Sequence, residues 1–309
     1  MAKFAKPATQ AASVMKQLQG GRIKSVSTVR NYESRLKQIT VYLQEQRLGR
    51  LRDMTPASAL DYLRERAAVV GQKTLDMERQ ALQSMMQHVT HRLEAGKTLE
   101  VIRSTAPKSK TGKPGQPTLG RRLSEESRLY TRTQVALIVA RQSPHNALAT
   151  EIAHAAGLRA HELLTLRRIH QQAPDERPAH ALKFVGICDE TIGYTVYGKG
   201  GLTREVRIPI PLAKRLEATR LAEPIRTTDR GVHYQQHYGL GGGQPWSKSF
   251  GAASKVVLGW SKGAHGLRHC YAQERFSTVQ CYLPREEAKR VVSQELGHFR
   301  PEITETYLR

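Results

Sequence analysis

Between residues 25 and 46 apolar side chains return at helical intervals (Val29, Tyr32, Leu36, Ile39, Val41, Tyr42 and Leu43), which predicts an amphipathic helix. A second helix is expected over 57–68, opened by Pro56 with Thr55 as its N-cap, because the missing proline N–H falls where the first turn has no partner for one. A third runs over 74–93 on Leu75, Met77, Leu82, Met85, Met86 and Val89, with the methionines filling core gaps. No period-two stretch interrupts this half, so residues 25–105 read as a bundle of about four short helices. Further on the pattern is mixed. Helices are expected at 131–141, 146–156, 160–168, 212–222, 247–258, 266–277 and 285–296. Residues 182–187, 191–198 and 204–211 alternate as strands, with Gly198-Lys199-Gly200-Gly201 as the turn between the last two. Residues 220–243 have too little pattern to assign, and no internal repeat is visible.

Residues 104–122, STAPKSKTGKPGQPTLGRR, hold three prolines, three glycines and no acid. Such a segment cannot build a packed element and reads as an extended basic linker. The expected organisation is a basic arm at 1–24, a helical domain at 25–105, the linker at 106–129 and a mixed domain at 130–309. The arm, MAKFAKPATQAASVMKQL onward, lacks the apolar core of an export signal and is expected to be mobile.

Charge changes the picture most. The 309 residues carry 49 Lys and Arg against 27 Asp and Glu, a net charge of +22 on an otherwise ordinary globular composition of 39% apolar and 25% charged residues. An excess of that size calls for an anionic partner, nucleic acid ahead of a membrane surface. No 18-residue apolar run offers a membrane span. Three cysteines, Cys188, Cys270 and Cys281, with no CxxC pair, suggest a reducing cytoplasm and neither a disulfide framework nor a zinc site.

Four stretches gather cations and proton carriers. In AAGLRAHELLTLR, Arg159 stands at the expected entry of a helix, where a cation opposes the dipole and gains by holding an anion. His161-Glu162 resembles the start of a zinc-protease motif, but the second histidine four residues on is missing. In YGKGGLTREV, Lys199 occupies a glycine-flanked tip, and the GxxxxGK[ST] pattern of a nucleotide loop is absent. In HGLRHCYAQERF, His265 and Arg268 are three apart and share a helix side, while the adjacent His269 is expected to point elsewhere and serve packing. A guanidinium fork with an imidazole beside it suits a phosphate. The last stretch, QELGHFRPEITETYLR, places His298 after Gly297 and Tyr307 nine residues later.

The ordered set Arg159, Lys199, His265, Arg268, His298, Tyr307 resembles the tyrosine recombinase (phage integrase) family. GLRAHELLTLR is similar to that family's first arginine motif, the Lys199 turn to its hairpin lysine, HGLRH to its HxxR box, and LGHFRPEITETYL to its final His–Tyr segment. The resemblance covers residues from about 130 to 309, and less specifically 25–105. It implies a mainly α fold with a small antiparallel β-sheet: an N-terminal helical, SAM-like core-binding domain and an α+β catalytic domain. It further implies a site-specific recombinase or integrase of a mobile element, with Tyr307 as nucleophile, Arg159, Arg268 and His298 on the phosphate, His265 as base and Lys199 as acid. No cofactor or metal is expected, since the arginines supply the positive charge. The implied partners are double-stranded DNA sites, three further protomers in a tetramer on two sites, and accessory DNA-bending or directionality proteins, in the bacterial cytoplasm at the nucleoid. A DNA-binding protein that no longer cuts and a type IB topoisomerase-like enzyme are the alternatives. The family continues past its tyrosine into a helix that packs on a neighbour. Here Leu308 and Arg309 stand after Tyr307, so the resemblance does not extend to the family's exchange of tails between subunits.

Overall fold

The computed structural model describes residues 5–19, 22–23, 26–106, 127–187 and 190–308. The chain divides into two compact units, residues 1–118 and 119–309. The expected linker falls largely on 107–126, outside the described residues, as does Cys188.

The first unit is helical: α1 (Pro7–Leu18), α2 (Val26–Glu45), α3 (Pro56–Ala67) and α4 (Gln72–His88). The expected arm is in part a helix of the core. Ala11, Val14, Met15 and Leu18, at helical spacing, are all buried. They cluster with Leu36, Ile39 and Leu43 of α2 and Leu82 and Met86 of α4. Polar contacts tie the same helix down, with Gln10 accepting from Leu51 N–H at 3.0 Å and Ser13 accepting from Arg52 at 3.1 Å. The apolar stripe of α1 is narrow and begins with an alanine, so its hydrophobicity is too weak to register beside Lys6 and Lys16. Leu18→Ala is expected to destabilise this unit by about 2–5 kcal/mol, the usual range for a fully buried leucine, read from the urea midpoint. Thr55 does cap α3, accepting from Ser58 N–H at 3.2 Å while Ser58 Oγ accepts from Thr55 N–H at 2.9 Å. Met85 and Met86 are core residues.

The second unit mixes helices with two small antiparallel sheets. In order these are α5 (Arg132–Ala140), α6 (Pro144–Ala156), β1 (Arg167–Arg168), β2 (Thr191–Tyr197), β3 (Thr203–Pro209), α7 (Ile210–Glu217), β4 (Arg220–Asp229), β5 (Val232–Tyr238), α8 (Gly243–Leu258), α9 (Gly266–Val279), α10 (Arg285–Glu295) and α11 (Pro301–Thr304). The first sheet has the order β1-β2-β3, with Tyr194 opposite Val206. Tyr194, Val196, Val206 and Ile208 face the same core as Ile152, Trp246, Phe250 and Leu267.

Three expected elements differ. Residues 160–168 are a 3-10 turn, Glu162–Thr165, running into β1, because Glu162 folds back onto Arg159 instead of continuing a helix. Residues 182–187 form turns, since Phe184 and Gly186 take left-handed φ of 68° and 67°, which no ladder accommodates. The third strand of that sheet is therefore the two-residue β1. Residues 220–238, which carry too little pattern to assign and whose first three overlap the helix expected over 212–222, form the β4–β5 hairpin, turned by Arg230 and Gly231 with φ of 50° and 76°. Cys270 and Cys281 are free. Among the described residues no helix is long and apolar enough to cross a membrane.

Candidate active site

The centre of the second unit is a buried carboxylate surrounded by arginines. Helix α6 stops at Gly157 (φ 61°), where a Cβ would lie 2.5 Å from the Tyr271 ring, so the chain must turn there with glycine. Two residues on, Arg159 donates from its backbone N–H to Glu162 Oε2 at 2.8 Å and from its guanidinium to Oε1 at 2.7 Å. Arg204 of β3 donates to Glu162 Oε2 at 2.7 Å, and Arg268 lies 3.8 Å from the same oxygen. Glu162 is fully buried. Burial opposes its ionisation, but the charges of Arg204, Arg268 and Arg159 hold its carboxyl well below the usual range. One negative charge thus anchors three positive ones, and the local excess is what an incoming anion meets.

Arg268 is also fully buried. It sits in the first turn of α9 and donates to the carbonyls of Gly157 and Leu296, while its second terminal nitrogen lies 3.2 Å from His298 Nε2. Its Nε has no partner. Burial lowers its pKa and Glu162 raises it, and a guanidinium keeps its proton in such a balance. His298 is delivered by the end of α10: Gly297 takes φ of 70° and His298 N–H closes onto Ser293 O at 2.8 Å.

Tyr307 ends a 3-10 turn, Glu305–Tyr307, that follows α11. Glu305 is pinned by Lys289 at 2.9 Å and Arg285 at 3.3 Å, and Gln273 donates to Tyr307 O at 3.2 Å. The ring is 7% exposed and packs among three imidazoles, His265, His269 and His298, with centroids 5.6, 4.6 and 5.1 Å away. Its hydroxyl stands 3.3 Å from His265 Nε2 and 3.4 Å from His298 Nε2. His269 is a packing residue as expected, but it packs against the tyrosine instead of pointing away from the site. His269 stands four residues after His265, about one turn on along the same side, and the tyrosine lies across both.

Burial and the nearby arginines push His265 down to about 4 and His298 down to about 3; burial and Arg128 push His269 down to about 4. All three are neutral at pH 7 in the free protein. An unfolded histidine titrates near 6.5, so between 6.5 and 4 the unfolded chain binds more protons than the folded one. Stability from these groups is full above pH 6.5 and is lost as pH falls toward 4. Both tryptophans, Trp246 and Trp260, lie in this unit. The tryptophan-detected urea midpoint is therefore expected to drop between pH 7.5 and pH 5, and equal midpoints would contradict the burial of neutral imidazoles.

Arg159, His265, Arg268, His298 and Tyr307 thus converge. Lys199 opens the 3-10 turn Lys199–Gly201 between β2 and β3. The preceding Gly198 abuts the cradle, since a Cβ there would lie 3.4 Å from Glu162 Oε1 and 4.0 Å from an Arg159 terminal nitrogen. The sequence offers Glu162 only as part of a zinc-protease look-alike and gives no sign of Arg204. The i to i+3 spacing of Arg159 and Glu162 was visible, whereas the reach of Arg204 across from β3 was not.

Residues 15–93 match the family model for the phage integrase N-terminal SAM-like domain, which spans the end of α1 through α4. Among solved structures, the XerH site-specific recombinase bound to palindromic difH substrate aligns at a TM-score of 0.54 and 14% identity, over 98% of this chain and 90% of that one. A lambda integrase dimer (residues 75–356) bound to a COC′ core site aligns at 0.51 and 17%, over 97% and 94%. The chain has the tyrosine recombinase fold. A lambda integrase tetramer bound to a Holliday junction also shares it, at a TM-score of 0.51 and 16% identity, over 97% of this chain and 76% of that one. No curated protein sequence matches the chain. Within this recombinase fold the four sequence motifs lie on the turn after α6, the β2–β3 hairpin, the start of α9 and the segment after α10.

Proposed function

We propose that this protein is a site-specific DNA recombinase, an integrase of a mobile element, that cuts and rejoins strands through a 3′-phosphotyrosyl bond at Tyr307. The observation that carries the reading is the Tyr307 hydroxyl, held between two neutral imidazoles beside the buried Arg268. A phenol ionises at about 10, so attack at neutral pH needs a base in reach. His265 Nε2, neutral and 3.3 Å away, takes the proton as the phenolic oxygen attacks phosphorus. Arg159 and Arg268 oppose the negative charge that grows on the nonbridging oxygens. Arg268 donates to His298 Nε2 in the free protein, which places the lone His298 proton on Nδ1. A bound phosphate favours the doubly protonated ring, and His298 then donates to the same oxygens.

Lys199 gives a proton to the departing 5′-oxygen. The strand is left with a 3′-phosphotyrosine and a free 5′-hydroxyl. Phosphodiester energy is retained in the link, so a 5′-hydroxyl from a second strand reverses the reaction and completes the exchange. The +22 charge supplies sequence-independent affinity that falls steeply with salt. Four protomers on two sites, as in the lambda integrase tetramer on a Holliday junction, is the arrangement proposed here.

A duplex nicked near the crossover tests this, because loss of the short 5′-fragment strands the covalent intermediate. Protein–DNA adducts that survive denaturant, together with recombinant joints between two intact sites, are expected. Adducts without joints would indicate a topoisomerase, and DNA binding without adducts a protein that no longer cuts.

A further inference from the structure

Three guanidiniums meet Glu162, and they differ in what they have left to give. Arg159 is partly exposed and spends one terminal nitrogen on Glu162. Arg268 keeps an unpartnered Nε. Arg204 has all three of its nitrogens engaged. Its Nε and one terminal nitrogen bracket the two Glu162 oxygens at 3.4 and 2.7 Å. The same nitrogen reaches Gly157 O at 3.4 Å, and the other donates to Glu295 O at 2.7 Å. Its side chain is 3% exposed, and its Cδ would be 2.6 Å from a Cβ on Gly297, directly before His298.

Arg204 therefore ties β3 to the Arg159 turn, to the Glu162 carboxylate and to the end of α10 that delivers His298. β3 is also the strand that leaves the Lys199 turn, and Gly198 on the other side of that turn rests on Glu162. Resting on the recombinase reading above, we propose that Arg204 is a positioning residue. It locks the β2–β3 hairpin against the phosphate cradle and thereby sets protonation of the leaving 5′-oxygen by Lys199. A lysine cannot replace it, because a point charge cannot bracket a carboxylate and reach two carbonyls at once.

The test is single-turnover cleavage at saturating DNA by the full chain, comparing Arg204→Lys and Arg204→Met with the parent. Two substrates are used, an ordinary duplex and one with sulfur in place of the bridging 5′-oxygen. A thiol leaves with a pKa near ~8.5 and needs no acid. On ordinary DNA the variants are expected to lose about 100-fold in rate, the scale of a misplaced catalytic group. On the sulfur-bridged duplex the variant-to-parent ratio is expected to return to within about threefold, as with Lys199→Ala. The parent rate on ordinary DNA, or equal losses on both substrates, would overturn the proposal, the second result marking a general loosening of the site. If the parent protein forms no covalent complex on either duplex, the recombinase reading itself fails. Should Arg204→Met not fold, judged by its tryptophan-detected urea transition, Arg204→Lys keeps the charge and decides the matter.

Discussion

Tyr307→Phe is expected to form no covalent complex with DNA while binding it as tightly as the parent. The substitution removes one oxygen from a ring already packed among His265, His269 and His298, so the fold has nothing to rearrange. The hydroxyl makes its two contacts with His265 and His298 at 3.3 and 3.4 Å. These are long for hydrogen bonds from a hydroxyl to a ring nitrogen, so little stability is at stake. Affinity is carried by charge spread along the whole chain, +8 over the first 100 residues, +5 over the next 30 and +9 over the remainder. The variant should show parent-like mobility shifts and no denaturant-resistant adduct. A residual adduct would assign the nucleophile to another residue.

Arg268→Ala and Arg159→Ala are expected to reduce cleavage by several orders of magnitude. One preorganised donor to a developing oxyanion is worth about 10²–10³ in rate, and an arginine on a phosphoryl transition state about 10³–10⁵. The two losses should differ in what accompanies them. Arg159 is partly exposed and its removal leaves Glu162 paired with Arg204, so folding should be little changed. Arg268 is fully buried and donates to the carbonyls of Gly157 and Leu296. Its removal strands two buried acceptors and opens a cavity, and a lower urea midpoint is expected with the lost activity. Single-turnover rates at saturating DNA separate these effects from binding. An unchanged rate in either variant would remove that arginine from the transition state.

The sequence conveyed the helical periodicity of α2 to α4 and the alternation of β2 and β3, because each is written in local spacing. It also conveyed the order of the candidate residues, since glycine and capping signals flank them: Gly157 before Arg159, Gly198 before Lys199 and Gly297 before His298. What was hidden depends on distant partners. Helix α1 is defined by a stripe that gains meaning from α2. Residues 182–187 look strand-like until the left-handed backbone at Phe184 and Gly186 excludes a ladder. The Glu162 cage joins residues 159, 162, 204 and 268, and a single carboxylate gives no local sign of which distant arginines will reach it. His269 stands four residues after His265 and so shares its side of the helix, but the tyrosine it packs against lies 38 residues further along the chain and gives no local sign.

Mass spectrometry of the trapped complex tests the central claim most directly. Trypsin cleaves poorly before Pro301, so Tyr307 is released in a peptide of residues 291–309, of which it is the only tyrosine. After nuclease trimming, that peptide is predicted to carry a nucleotide on the phenolic oxygen of Tyr307 through a 3′-phosphodiester. An adduct on any of the other ten tyrosines, on serine, or on no residue at all would contradict the account.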